Sequence, residues 1–325
     1  MIGYSTRCFL FASLLVLLIA PVVQAAEDPS QVLAKMFQAR RTVSYEGDFL
    51  YFQDEALTTL HIVRQAGKNI DRERLFTLDG SVREVVRSQD RVTCTLPRGQ
   101  SHVANSYHLP TEDAFPENLS LPHNDLATFY TLTLGQDDRI AGRNVRFLEA
   151  SPRDAFRYGH RFWVDTATGL LLKSELIGQQ GKILERVMFI RVNLSDTMPT
   201  EPVAANGVLA TPPLPSATTA KRVDDEAAHW VVEHTPPGFR LEGHDQQSLG
   251  LGQAPVRRIV YSDGLATVSV FIEHAVANRE TMRGLSKRGA LYVYATHYRD
   301  WQVTVLGVVP KATIEMIGTS LLSRD

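Results

Sequence analysis

A proline-rich stretch just beyond the middle of the chain limits the fold most, because it separates two segments that must each fold separately. Residues 197–222 contain five prolines and no aromatic residue. Such a composition buries too little apolar surface to fold alone, and its prolines favour an extended backbone. An ordered loop of this length inside one domain is the less common alternative. We therefore predict a linker at 197–222 between a domain at 27–196 and a second domain at 223–325.

The first 25 residues have the pattern of a cleavable secretory signal. Arg7 is the only charged residue among them, and the apolar run Cys8–Val23 follows it. The alternative is a membrane anchor, but this run is short for a span of about 20 residues and Pro21 interrupts its end. The sequence predicts export to the periplasm, with the exported chain beginning at or next to Ala26.

Charge and cysteine content argue against a nucleic-acid-binding protein and against a disulfide-stabilised one. The net charge is −2, and removal of Arg7 with the signal makes it −3. A protein that binds nucleic acid needs a basic excess to neutralise phosphates. Cys94 is the only cysteine after the signal, so no intramolecular disulfide can form. Its place in an alternating run predicts a buried, inert thiol.

Strand-like runs dominate the first predicted domain. A short helix capped by Asp28 is followed by nine such runs, and a second helix is predicted over LATFYTLTL, ending at Gly135. Short turns between the later runs favour an antiparallel meander with both helices on one face. The charged run Asp71–Arg74 is interpreted as a solvated strand face.

The second predicted domain is small and of the α+β class. Five strand-like runs precede a terminal helix that Pro310 opens. Asp263 and Gly264 form a typical hairpin turn between two of the strands. The whole chain is therefore predicted to be mainly β, with helices in both domains.

No group of side chains indicates catalysis, a cofactor or a metal site. There is no Gly-x-Ser-x-Gly elbow, and Cys94 lies in a strand-like run with no charged residue or histidine within two positions. Gly250 and Gly252 lack the third glycine of a dinucleotide loop. The densest set of possible metal ligands matches no zinc spacing; it comprises His102, His108, Glu112, Asp113, His123 and Asp125. We expect a protein that is not an enzyme.

One strand carries a binding signal. Phe49, Leu50, Tyr51 and Phe52 are consecutive, so both faces of this strand are apolar. One face can pack on the domain core, and the other needs cover from helices, a partner or a lipid. Phe49, Tyr51 and Phe52 are therefore candidate lipid-binding residues, and a strand buried under the domain's own helices is an equally good interpretation.

Several ordered strings in the chain resemble MucB/RseB proteins. In the first domain they are ARRTVSYEGDFLYF, TLHIVR, RERLFTLDG, REVVR, HRFWVDTATGLLLKSEL and LERVMFI. In the second domain they are PPGF at 236–239, YSDGLATVSVFIE at 261–273 and VTVLGVVP at 303–310. The resemblance extends from the start of the exported chain to near its end and is sparse only in the linker.

This resemblance implies a fold and a function. The larger domain is expected to be an unclosed, strongly curved antiparallel sheet around helices, similar to LolA-type lipoprotein carriers. The protein is expected to bind the periplasmic part of an inner-membrane anti-sigma factor of the MucA/RseA type, to protect it from regulated proteolysis and to keep the envelope-stress sigma factor inactive. Lipid-like signals such as lipopolysaccharide are expected to release it, and the resemblance also implies self-association.

The contacts with the partner are not fixed by the sequence. Interfaces favour aromatic anchors, and the second domain offers Tyr261, Phe271, Tyr292, Tyr294 and Trp301. Each of them is also a natural core residue of a small domain. The linker is a second candidate, because extended segments can add to a partner by backbone pairing. A periplasmic lipid or lipoprotein carrier of the LolA type is the main alternative function, although a simple carrier needs no second domain.

Overall fold

The structure, a computed structural model, describes most of both predicted domains. The described residues are 27–67, 70–80, 84–88, 91–95, 101–102, 125–194, 230–247, 256–275 and 283–323. The predicted signal at 1–25 and the predicted linker at 197–222 lie outside them, as do most of the possible metal ligands and the Gly250–Gly252 segment. Among the described residues, no helix has both the length and the apolarity that a membrane crossing requires.

Two of the helices confirm predictions from the sequence. Helix α1 begins after Asp28, whose carboxylate accepts a hydrogen bond from the Ser30 backbone N–H. Its buried residues include the four that share one face in the sequence pattern. The last helix, α3, follows Pro310 as predicted. The helices are α1 (Pro29–Thr42), α2 (Leu126–Phe129) and α3 (Lys311–Thr319).

The first domain is built on one twelve-stranded antiparallel sheet. The strands are β1 (Tyr45–Gln53), β2 (Ala56–Gly67), β3 (Ile70–Thr77), β4 (Glu84–Ser88), β5 (Arg91–Thr95), β6 (Ser101–His102), β7 (Tyr130–Leu134), β8 (Asp138–Ile140), β9 (Arg143–Pro152), β10 (Gly159–Asp165), β11 (Leu171–Ile177) and β12 (Ile183–Leu194). Their order is β6-β5-β4-β3-β2-β1-β12-β11-β10-β9-β7, and β8 also pairs with β9. Over the described residues the two end strands do not meet, so the sheet is unclosed, as the resemblance implies.

The sheet consists of two meanders joined by one long-range pairing. Strands β1 to β6 form the first meander, and β7 to β12 form the second. Strand β1 joins them by pairing with β12, from Tyr45 opposite Leu194 to Gln53 opposite Glu185. The sequence predicted the meanders but gave no signal for this pairing, because it connects residues about 140 positions apart.

The second predicted helix of this domain is wrong in most of its length. Helix α2 ends at Phe129, and the next residues form β7, with Tyr130 opposite Pro152 and Leu134 opposite Leu148 on β9. Thr131 and Thr133 are exposed and alternate with more buried neighbours, which is the period of a strand. Only α1 therefore supplies a long helical cover to the described part of this domain.

The prediction of a solvated charged strand at 71–74 is also wrong in part. Glu73 is buried, and its carboxylate accepts a hydrogen bond at 2.8 Å from the equally buried guanidinium of Arg64 on β2. A paired and hydrogen-bonded charge is the form in which proteins tolerate burial. Arg64 also donates to the backbone carbonyl of Arg40 and so connects this pair to the end of α1.

Two clusters of buried side chains fill the first domain. One of them joins β1, β2 and β12 with Trp163 of β10, and it includes Tyr45, Phe49 and Phe189. The other joins the apolar face of α1 to Tyr130 of β7 and to strands β9 and β10. Strand β10 contributes to both clusters and is therefore apolar on both faces.

The second domain combines a six-stranded antiparallel sheet with α3. The strands of this sheet are β14 (Arg240–Gln247), β15 (Val256–Ser262), β16 (Thr267–His274), β17 (Gly284–Arg288), β18 (Leu291–Tyr298) and β19 (Trp301–Gly307), and a separate pair is formed by β13 (Trp230–Val232) and β20 (Leu321–Ser323). The order in the larger sheet is β14-β15-β16-β19-β18-β17. Asp263 and Gly264 lie in the predicted hairpin between β15 and β16, which is confirmed.

Candidate functional site

The three candidate lipid-binding residues divide between the two faces of β1. Phe49 and Tyr51 are 0% and 5% exposed and belong to the core cluster that includes Phe189. Phe52 is half-buried, like Leu50, and points to the opposite face because side chains alternate along a strand. The structure thus brings Phe49 and Tyr51 together in the core and leaves Phe52 outside it.

Phe52 is part of an apolar area on the outside of the sheet, which we call the outer patch (Leu50, Phe52, Leu57 and Leu78). Leu57 is the partner of Phe52 across the β1–β2 ladder, so the two share a face. Leu78 follows β3, and its N–H donates to the Thr59 carbonyl, opposite Leu50. Leu57 and Leu78 are 60% and 52% exposed. Adjacent exposed leucines beside a half-buried phenylalanine form a surface that can bind an apolar ligand.

Four of the five candidate partner-binding residues belong to the core of the second domain. Tyr261 is buried, and Tyr292, Tyr294 and Trp301 pack half-buried against the same cluster, which also contains Trp230 and the apolar face of α3. Phe271 is buried too, but it alternates with core residues of β16 and lies opposite Arg258 and Thr304. It is therefore the one candidate on the sheet face that points away from α3.

A buried ion pair between the two domains is the most unusual feature of the described structure. Arg157 precedes β10 in the first domain, and Asp263 is in the β15–β16 turn of the second. Both side chains are fully buried, and Arg157 Nη1 lies 2.6 Å from Asp263 Oδ2. The Tyr130 hydroxyl donates to the same oxygen at 3.0 Å. The other carboxylate oxygen accepts the backbone N–H groups of Leu265 and Ala266, so the turn itself holds Asp263 in place.

Further contacts around Arg157 come from both domains. Its Nε donates to Asp154 at 3.0 Å, and Nη2 donates to the Pro237 carbonyl of the second domain. The guanidinium carbon lies 4.7 Å from the ring centroid of Phe129, 5.3 Å from that of Phe239 and 5.5 Å from that of Tyr130. Aromatic rings at these distances attract a cation and exclude water from it.

Gly238 allows the second domain to approach this closely. Its φ is +86°, and a Cβ atom there would lie 2.5 Å from Cε2 of Phe129. Only glycine combines that backbone conformation with the close approach of a ring. The glycine in the string PPGF is therefore an interface residue.

Smaller contacts extend the interface on both sides of the ion pair. Thr313 of α3 donates to the Phe156 carbonyl, and Ala290 packs in one buried cluster with Tyr158 and Leu176. At the rim, the Arg240 guanidinium pairs with Asp125, and more than half of the Arg240 side chain is exposed. The two domains thus contact each other at several points around a charged centre.

No pattern in the sequence indicates this centre. The sequence marks Asp263 only as a turn residue, and Arg157, between Phe156 and Tyr158, has no periodic signal. The described residues contain no group of three or more potential metal ligands.

The comparisons with known proteins cover both domains. The model of the MucB/RseB N-terminal domain matches residues 28–207, and that of the MucB/RseB C-terminal domain matches residues 224–322. The AlgU regulatory protein MucB of Pseudomonas aeruginosa is 34% identical over 314 residues, which cover 94% of each chain. The sigma-E regulatory protein RseB of Haemophilus influenzae is 26% identical and covers 94% of this chain and 96% of its own length.

Solved structures agree with these matches. A crystal structure of MucB in complex with MucA(peri) is 30% identical, has a TM-score of 0.61 and covers 92% of this chain and 100% of that chain. A crystal structure of MucB alone is 28% identical, has a TM-score of 0.62 and covers 91% and 98%. Both domains, their order and their fold are therefore shared, and the chain belongs to the MucB/RseB family.

Proposed function

We propose that this protein is a periplasmic regulator that binds the periplasmic segment of an inner-membrane anti-sigma factor of the MucA/RseA type. The observation that carries the proposal is the match along both domains to MucB, which has been crystallised with MucA(peri). The signal pattern at 1–25 supports export. We propose no catalytic role. We also propose that the protein self-associates, which light scattering can test.

The proposed effect of binding is to shield the anti-sigma factor from proteolysis. A protease needs a locally unfolded segment, and a segment ordered on a folded protein opens less often. The sigma factor then stays inactive as long as the complex persists.

We expect the exported chain to bind the periplasmic segment of the MucA-type protein from the same organism and to slow its digestion by a non-specific protease at least tenfold. When the anti-sigma segment is less concentrated than the regulator, the fraction of the segment that stays uncleaved should equal the fraction that calorimetry shows to be bound. Binding without any protection would contradict shielding, and a lack of binding would contradict the proposed function itself.

We also propose that a lipid-like signal acts on the first domain through the outer patch. The candidates Phe49 and Tyr51 are core residues, so Phe52 is the accessible member of the predicted set. Its neighbours Leu57 and Leu78 are more than half exposed and would gain most from contact with an acyl chain, at about 25 cal/mol per Å² of buried apolar area.

Replacing Leu57 by serine should raise the lipopolysaccharide concentration that releases the partner by about tenfold, because about 1.5 kcal/mol of apolar burial is lost. Binding of the anti-sigma segment without lipid should not change. Leu241→Ser is the matched control, since Leu241 of β14 is 56% exposed but lies in the other domain. Equal effects of the two substitutions would show that the lipid site is elsewhere.

A periplasmic lipid or lipoprotein carrier is the second candidate function, favoured by the outer patch alone. Affinity capture from an envelope extract distinguishes the two. The regulator should retain an inner-membrane anti-sigma factor, whereas a carrier should retain outer-membrane lipoproteins or free lipid.

A further inference from the structure

The ion pair of Arg157 and Asp263 is placed where it controls the angle between the domains. Each partner is fixed within its own domain: Arg157 by Asp154, and Asp263 by two backbone N–H groups of its turn. The 2.6 Å contact between them therefore joins two rigid groups and not two flexible side chains. A charge-assisted hydrogen bond between fixed groups is strongly directional.

Burial of this pair favours one geometry without adding much net stability. Removing two charges from water costs several kcal/mol per ion, and their attraction offsets that cost only when the geometry is good. Consistently, burial raises the pKa of the Asp263 carboxyl above its ordinary value. Any domain arrangement that kept the pair dry but moved the partners apart would leave two uncompensated charges.

Opening the interface returns the two charged groups to water. Once the domains separate, both ions regain hydration, which offsets a large part of the attraction that is lost. The contacts that remain include the ring of Phe129 against Gly238 and the side chain of Leu265, which is buried in the cluster that α1 also joins. Thr313 and Ala290 add smaller contacts, and the exposed pair of Arg240 with Asp125 contributes little. The charged centre therefore selects the closed geometry of the domains and by itself offers little resistance to their separation.

We propose that Arg157, Asp263 and Tyr130 form an interdomain latch that holds the two domains in one arrangement, and that opening this latch lowers the affinity for the anti-sigma segment. The second half rests on the proposed function. A partner that contacts both domains binds only the arrangement that presents its two contact surfaces together. A ligand that prefers the open arrangement then lowers the affinity for the partner. By linkage, the partner lowers the affinity for that ligand by the same factor.

The test removes the charges and keeps the turn. In the double variant Arg157→Met/Asp263→Asn, the amide oxygen can still accept the two backbone N–H groups, and neither of the two substituted positions carries a buried charge. Such neutral replacements of a buried pair commonly leave stability little changed. Arg240→Gln is the matched control, because it removes the exposed ion pair across the same interface.

The arrangement is measured without any partner. Cys94 is replaced by alanine, and the exposed residues Lys182 and Lys311 are replaced by cysteines that carry spin labels. The two labels report one distance between the domains. We expect a single narrow distribution for the parent chain and for Arg240→Gln, and a distribution at least twice as wide for the double variant. A double variant as narrow as the parent would overturn the latch. If the double variant does not fold, Arg157→Lys decides in the same way, since lysine keeps the charge but lacks the fork that joins Asp154, Asp263 and Pro237.

Affinity for the periplasmic segment of the MucA-type protein is measured on the same proteins. We expect binding at least tenfold weaker for the widened variant and unchanged for Arg240→Gln. A widened distribution with undiminished affinity would overturn the regulatory half of the proposal and leave the latch standing. Failure of the unaltered chain to bind would instead contradict the proposed function, so the two failures are distinguishable.

Discussion

Replacing Phe49 by alanine is expected to lower the free energy of unfolding by about 3–5 kcal/mol, the usual effect of truncating a buried aromatic side chain. Phe49 has no exposed surface, and its ring centroid lies 5.6 Å from that of Phe189 on the paired strand β12. The substitution therefore removes apolar burial and leaves a cavity at the junction of the two meanders. Denaturant unfolding followed by fluorescence and circular dichroism measures the loss.

Phe52→Ala on the same strand is the matched control. Phe52 faces the outer patch and is half-buried, so its truncation should cost about 1 kcal/mol or less. Equal destabilisation by the two substitutions would contradict the division of β1 into a core face and an outer face.

Acid is expected to destabilise the protein by about 3 kcal/mol between pH 6.5 and pH 4, and His160 is the cause. Burial lowers the pKa of His160 from 6.5 to about 4. Its ring stacks on Phe162 at 5.6 Å, and its Nε2 is buried with no hydrogen-bond partner among the described residues. Each pKa unit corresponds to about 1.4 kcal/mol.

The sign of this effect follows from the direction of the shift. The folded protein holds His160 neutral. Its contribution to the free energy of unfolding is therefore complete above pH 6.5, where the unfolded chain is also neutral at this position. As the pH falls towards 4, protons bind the unfolded chain first and draw the equilibrium towards it. The free energy of unfolding, measured in urea at several pH values, should fall across this window.

His160→Leu should remove this part of the pH dependence. Two carboxylates also stabilise the fold in a pH-dependent way, and both remain in the variant. His61 and Arg191 lower the pKa of Asp48, and Arg143 and Thr168 lower that of Asp165. Both therefore lose their contribution to stability only at lower pH. If the free energy of unfolding fell equally steeply between pH 6.5 and pH 4 in the variant and the parent, His160 would be excluded as the cause.

Local features of the fold were predictable because their causes are local. The cap at Asp28, the proline before α3 and the Asp263-Gly264 turn each act within a few residues. The helix predicted over LATFYTLTL failed at Tyr130, where pairing with β9 outweighs a weak helical preference. The pairing of β1 with β12 had no local signal at all.

The candidate site was predictable only in outline. Consecutive apolar residues on β1 correctly indicated two apolar faces, but only the register with β2 and β12 shows that Phe49 faces the core and Phe52 the outer patch. Arg157 and Asp263 are 106 residues apart, and neither has a neighbour that marks it as paired. An ion pair between domains depends on tertiary geometry, which a single sequence does not display.

The pairing of β1 with β12 has a consequence for how the chain folds as it emerges on the periplasmic side under the proposed export. Residues 45–53 emerge early, but their partner at 183–194 follows only after the rest of the first domain. Until then one side of β1 presents unpaired backbone groups, and Phe49 lacks the Phe189 ring against which it packs. Contacts that join distant residues slow folding and prolong exposure to aggregation. We therefore expect the emerging first domain to need a chaperone until residue 194 is available, and the pairing of β12 with β1 to be the slow step of its folding.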